Sequence, residues 1–187
     1  MTRHIIFLDI DGVVLPFGAA SAVDIGLVRS SPHAHLDRLL SRVPHGPVER
    51  IKQVADQAAA KIVLISHWRG VFSHSFCEAF LERLGLMQRA HEDWFAQMRG
   101  LPPKPEKGRD IRMWLADHRS MRQSDCVVID DDDLLLRDDW GFRNLIQIRP
   151  KPRVGFSEAD KAAALLVLTG RGAARLPAAA NLNEVET

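Results

Sequence analysis

Four short apolar runs divide the chain: Ile5-Ile6-Phe7-Leu8, Lys61 to Ile65, Cys126-Val127-Val128-Ile129 and Asn144 to Ile148. None of the first three alternates with polar residues, the pattern of a strand buried on both faces, as in a parallel sheet. Between them apolar positions recur at helical spacing. Pro47 opens one helix, with Val48, Ile51, Val54, Ala55 and Ala58 on its apolar face, extending to Ala60. Proline is tolerated there because the first-turn N–H has no partner inside the helix. Ser75 with Glu78 reads as a capping box for a second helix ending near Leu84. A third runs from Gly108 to His118, with Ile111, Trp114, Leu115 and His118 on one face. Ser157, followed by Asp160, caps a last one ending near Leu168. Residues 13–46 form a long connection with a hairpin or short helix around His35 to Leu40, and the prolines from Leu101 to Pro105 make a connector no helix crosses.

This alternation predicts a three-layer α/β/α sandwich on a mainly parallel, Rossmann-like sheet. A chain of 187 residues fits one domain. We expect it over residues 1–170, followed by a flexible tail over 171–187, where the chain from Gly170 on runs through Gly, Ala, Arg, Pro and Asn. A net charge of +1 excludes a tail-driven, histone-like nucleic-acid binder. Two cysteines, Cys77 and Cys126, make no disulfide framework and suit a reducing compartment. Asp9 and Asp11 interrupt the first apolar run, so no signal peptide or membrane span is expected, and the expected location is the cytoplasm.

Polar residues stand just past the strand ends, where open α/β sheets place their ligands. Asp9 and Asp11 close the first run as Asp-Ile-Asp-Gly. On extended backbone both carboxylates point to one side, able to bind a hard cation, while the first can attack phosphorus. Gly12 stands at the wrong position for a calcium-binding EF-hand loop. Ser66 follows the second run and can hold a phosphate oxygen; His67, Trp68 and Arg69 come next, with Arg69 a candidate phosphate clamp and Trp68 able to pack at the mouth of the site. Lys107 precedes a helix, where a cation opposes the helix dipole, so an anion in front of it would explain its place; Lys104 is a rival. Asp130 and Asp131 end the third run and begin a row of four aspartates that repel one another unless a cation shields them.

Strand with Asp-x-Asp-Gly, strand with Ser, Lys before a helix, strand with Asp-Asp: in this order the residues resemble the haloacid dehalogenase (HAD) superfamily of phosphohydrolases, over about residues 5–150. Within it, Ser66-His67-Trp68-Arg69 and Lys107-Gly108-Arg109-Asp110-Ile111-Arg112-Met113-Trp114-Leu115 are similar to the HAD domains of Swiss Army Knife RNA repair proteins. That group tends to have Ser-Ser-Trp-Arg and Arg-Gly-x-Glu-Ile-x-x-Trp-Leu. His67 replaces a small residue here, and Lys107 restores the ordinary HAD lysine.

The resemblance implies Asp9 as nucleophile, through an aspartyl-phosphate, and Asp11 as general acid and then base. It implies Mg²⁺ held by the Asp9 side chain, the Asp11 backbone carbonyl and Asp131, with Asp130 nearby. Ser66 and Lys107, with His67 and Arg69 beside them, would face the transferring phosphate. The intervals from Asp11 to Ser66 and from Ser66 to Lys107 leave no room for a large cap domain. An uncapped site suits phosphate on a large molecule, such as a nucleic-acid end. Seven basic against two acidic residues between Arg143 and Arg175 offer a track for a phosphate backbone or a balance to the acidic stretch before them. A small-nucleotide phosphatase and a catalytically quiet binding or assembly domain are the alternatives.

Overall fold

The computed structural model describes residues 4–19, 26, 30–96, 107–132 and 141–170. Its centre is β1 (His4–Leu8). β2 (Ala60–Leu64) lies on one side and β4 (Cys126–Ile129) on the other, both parallel to β1, with Leu8 level with Leu64 and with Ile129. β3 (Ala90–Phe95) and β5 (Ile146–Ile148) complete an all-parallel sheet in the order β3-β2-β1-β4-β5.

The unbroken apolar runs are explained by the two faces. Ile6 and Leu8 of β1, Ile62 and Leu64 of β2, and Val127 and Ile129 of β4 belong to one apolar cluster. Their neighbours Ile5, Phe7, Val63 and Val128 belong to the other. The first face is covered by α1 (Leu36–Leu40), α2 (His45–Gln57), α4 (His74–Arg83) and α6 (Glu158–Leu168). The second is covered by α5 (Lys107–Asp117), whose Trp114 meets the Phe7 ring edge-on at 5.4 Å. A single turn, α3 (Trp68–Val71), follows β2. Helices on both faces of a parallel sheet make the expected three layers, and among the described residues no second domain is inserted. No described helix is long and apolar enough to cross a membrane. Cys77 and Cys126 lie in opposite clusters, and burial pushes their thiols up to about 11 and about 12.

Several boundaries differ from the sequence reading. α2 begins at His45, so Pro47 sits inside its first turn, and ends at Gln57 before the left-handed Ala59. The cap of α4 is Ser73, whose hydroxyl accepts the Phe76 N–H at 3.2 Å, not Ser75. Ser157 and Asp160 do form the capping box of α6. β3 has no counterpart in the apolar pattern. It is an edge strand with two exposed positions, joined to β2 through Ile62–Ala90 and Leu64–Phe95 with an irregular register between them. The expected tail over 171–187 lies outside the described residues.

Candidate active site

The register of the three central strands sets their carboxyl ends side by side. The Asp9 N–H donates to Ile129 O at 3.0 Å, the Ile65 N–H to Leu8 O at 2.9 Å, and the Asp130 N–H to Ile148 O at 3.2 Å. Asp9, Ser66 and Asp130 therefore project from one edge of the sheet, at the point where the strand order reverses.

Asp9 and Asp130 are buried, and Lys107 lies between them. Its Nζ donates to Asp9 Oδ2 at 2.9 Å and to Asp130 Oδ2 at 2.7 Å. Burial disfavours the charged ammonium, but the two carboxylates outweigh burial and hold the Lys107 pKa above the ordinary lysine value. Lys104 lies outside the described residues. Asp131 stands across the turn at Gly12, which has a left-handed φ of +71°; a Cβ there would lie 2.4 Å from the Asp131 carboxylate. Glycine thus provides both the turn and the room for the carboxylate. One carboxylate oxygen from each of Asp9, Asp130 and Asp131 lies within 4.8 Å of the other two, so this triad can hold a metal ion. Burial raises the Asp130 pKa to about 7, and the Asp9 charge adds to it against the opposing effect of Lys107. Asp131 is raised by burial and then by Asp9. An oxygen-only donor set with unbalanced negative charge suits a hard divalent cation.

Asp11 is outside the triad. Its Oδ2 accepts the Trp68 indole N–H at 2.9 Å. Burial raises its pKa, Asp9 raises it further, and the Trp68 hydrogen bond opposes both. Trp68 itself is buried among Phe72, Phe76 and Phe80. The sequence reading placed this ring at the site mouth and missed its bond to Asp11. The signal was available: a buried indole N–H needs an acceptor.

Ser66 is fully buried, and its hydroxyl accepts the Trp68 backbone N–H at 3.3 Å. His67 is exposed at the start of α3. Arg69 is not placed as a phosphate clamp. Its guanidinium is turned inward and fully enclosed, with Nε donating to Ser66 O at 3.0 Å, Nη1 to Ala96 O, and Nη2 to Ile65 O at 2.7 Å and Asp110 Oδ2 at 2.9 Å. These bonds tie the ends of β2 and β3 to the first turn of α5. Among the described residues, the basic side chains from Arg143 on are spread over both ends of β5 and the first turn of α6. Arg143 precedes β5 and Lys151 follows it, at opposite ends of the strand, and Lys161 is engaged by Glu158 and Gln53. Arg171 and Arg175 lie outside the described residues.

Breaking a buried ion pair leaves its partner charge unmatched, which costs about 3–5 kcal/mol. Arg69→Ala is therefore expected to lose about that much stability in urea unfolding. A variant of unchanged midpoint and slope would return Arg69 to a surface role.

Residues 5–161 match the HAD domain in Swiss Army Knife RNA repair proteins. No curated protein and no solved structure matches the chain. The match covers β1 through the first turn of α6, and so includes every strand end that builds the site. With the aspartates of β1 and β4 gathered around the lysine of α5, the chain belongs to the family of HAD domains found in Swiss Army Knife RNA repair proteins.

Proposed function

We propose that the protein is a Mg²⁺-dependent phosphomonoester hydrolase acting through an aspartyl-phosphate on Asp9, with nucleic-acid ends as its substrates. The observation that carries this reading is the Lys107 ammonium bridging Asp9 and Asp130, with Asp131 completing a buried carboxylate triad. The family supports it, since phosphoryl transfer is the chemistry this superfamily resemblance implies, and the description of its members as RNA repair proteins supports a nucleic-acid substrate.

In the first step an Asp9 carboxylate oxygen attacks phosphorus and the ester P–O bond breaks. The leaving oxygen takes a proton from Asp11, whose raised pKa favours the protonated form and whose orientation Trp68 holds. In the second step Asp11, now a carboxylate, takes a proton from water as the water oxygen attacks phosphorus. The Asp9–phosphorus bond breaks, releasing inorganic phosphate and restoring Asp9. Lys107 has three N–H donors and spends two on Asp9 and Asp130. The third can neutralise a phosphoryl oxygen, and the Ser66 hydroxyl stands at the next strand end. Asp9, Asp130 and Asp131, with the Asp11 backbone carbonyl, are the groups proposed to hold Mg²⁺. When bound, Mg²⁺ supplies charge neutralisation on the transferring phosphoryl group, the main requirement of this chemistry.

Asp9→Asn is expected to abolish hydrolysis of an aryl phosphate while far-UV circular dichroism stays unchanged, and EDTA is expected to abolish wild-type turnover until Mg²⁺ is restored. Turnover by Asp9→Asn at the wild-type rate would remove the nucleophile assignment. Gly12→Ala places a Cβ in the space of the Asp131 carboxylate. It should raise the Mg²⁺ concentration for half-maximal activity about tenfold or more, a change of about 1.4 kcal/mol.

The substrate class is read by comparing kcat/KM for 3′- and 5′-phosphorylated oligonucleotides with the matching mononucleotides at two salt concentrations. The oligonucleotide is expected to be preferred, and the preference to shrink as salt rises, because each phosphate contact releases counterions. Equal constants with no salt effect would favour the small-nucleotide reading.

A further inference from the structure

A second group of ligating side chains lies at the far end of α5. Lys107 begins that helix and His118 immediately follows it, ~16 Å away along the helix axis. His91 and Asp93 stand on β3, in the stretch where its register against β2 is irregular. Such irregularities re-aim side chains. One ligating atom from each of His91, Asp93 and His118 lies within 4.8 Å of the other two. His91 and His118 border a groove of about 1480 Å³ at the amino-terminal edge of the sheet, lined there by His4, Lys61 and Asp125. Asp93 and His118 also line a pocket of about 150 Å³.

His118 is held in one orientation. Its ring stacks on Trp114, with centroids 3.8 Å apart and planes 13° from parallel. Nδ1 donates to Trp114 O at 2.8 Å, and Nε2 lies 2.9 Å from Asp93 Oδ2. Asp93 is tied in turn, because the Trp114 indole N–H donates to its backbone carbonyl at 2.9 Å. Both neighbours of the His118 nitrogens are acceptors, so the arrangement calls for a positive charge. Either the ring carries two protons, or a metal ion replaces the proton at Nε2 and takes Asp93 as a second ligand. In the second case Nδ1–H remains bonded to a backbone carbonyl, the support that ligating histidines ordinarily have.

His91 distinguishes the two. Its ring meets His118 edge to face at 5.2 Å. Without a metal the second imidazole offers His118 only a ring contact, whereas a metal ion gains a third ligand there. Whichever His91 nitrogen serves, it gives up only the exposed hydrogen bond that Nδ1 accepts from the Asp93 N–H at 3.0 Å.

We propose that His91, Asp93 and His118 form a binding site for a divalent transition-metal ion of the zinc class, joining β3 to the carboxyl-terminal end of α5. Two imidazoles and one carboxylate suit Zn²⁺, Co²⁺ or Ni²⁺, whereas Mg²⁺ takes oxygen ligands. Three protein ligands leave a position open to water or to a group entering from the groove. The site shares no residue with the Asp9 cluster, so the two can be removed separately.

The test uses the untagged full-length chain, stripped of metal and dialysed against Zn²⁺ in excess Mg²⁺. Wild type and Asp9→Asn are expected to retain one Zn²⁺ per chain, while His91→Gln and His118→Gln bind at least about tenfold more weakly, the smallest loss that disturbing a metal's ligand shell ordinarily produces. Co²⁺ should give visible absorption bands in wild type that both glutamine variants lose. Zn²⁺ should raise the Tm of wild type and Asp9→Asn but not of the glutamine variants, since an ion that binds only the folded state stabilises it. His91→Gln leaves the His118–Trp114 stack in place, so it reports on the ligand even if His118→Gln folds poorly. No Zn²⁺ retained by wild type, or equal retention by wild type and His91→Gln, would overturn the proposal.

Discussion

Carboxylates gathered at the ends of neighbouring strands repel one another, and Lys107 is what makes the gathering tenable. Its ammonium lies within 2.9 Å of Asp9 and 2.7 Å of Asp130, in a place that burial alone would make unfavourable for any of the three. Much of the fold follows from delivering that one side chain. A cation at a helix start opposes the helix dipole, so α5 must be held there by something else. The holding group is the next side chain on the same face: Asp110, one turn on, is locked to Arg69 beneath the turn that carries Ser66. Further along, Ile111 and Trp114 bury the same face against the sheet.

The strands of the site were legible because both faces of the sheet are covered. β1, β2 and β4 need apolar residues at their central positions, and each unbroken run ends where the strand ends, so Asp9, Ser66 and Asp130 were marked by position as well as by type. Lys107 was legible through the local rule it breaks. β3 was not, because an edge strand with half-buried His91 and exposed Glu92 and Asp93 has neither alternation nor an apolar run. The cap of α4 was misplaced because Ser73 and Ser75 offer the same chemistry to the same helix start, and the end of α2 because the chain turns left-handed at Ala59.

Arg69 and Trp68 show a different limit. Both follow Ser66, and type alone pointed the arginine toward phosphate and the ring toward the mouth of the site. Burial reverses the first and refines the second: the guanidinium is taken up by three backbone carbonyls and Asp110, and the buried ring packs beside the site with its indole N–H on Asp11. Only the path of the chain after β2 decides this. The carbonyls of Ile65, Ser66 and Ala96 belong to strand ends with no further strand residue to pair with, and buried carbonyls need donors. A planar five-donor group meets several of them at once, which lysine cannot.

The two buried cations therefore differ in how their charge is matched. Arg69 faces one carboxylate and three neutral carbonyls, so its charge is balanced and four of its five donors are occupied; such a group supports structure. Lys107 faces two carboxylates directly, with Asp131 and Asp11 a short way beyond, and one positive charge cannot balance them. Burial first, and then the Asp9 charge, raises the proton affinity of Asp11, Asp130 and Asp131, Asp130 to about 7. Protonation is one way to relieve the excess charge, and a hard divalent cation shared by the triad is the other. A site that remains negative after its own lysine is counted is incomplete as a structural element, and that deficit fits it to receive a cation.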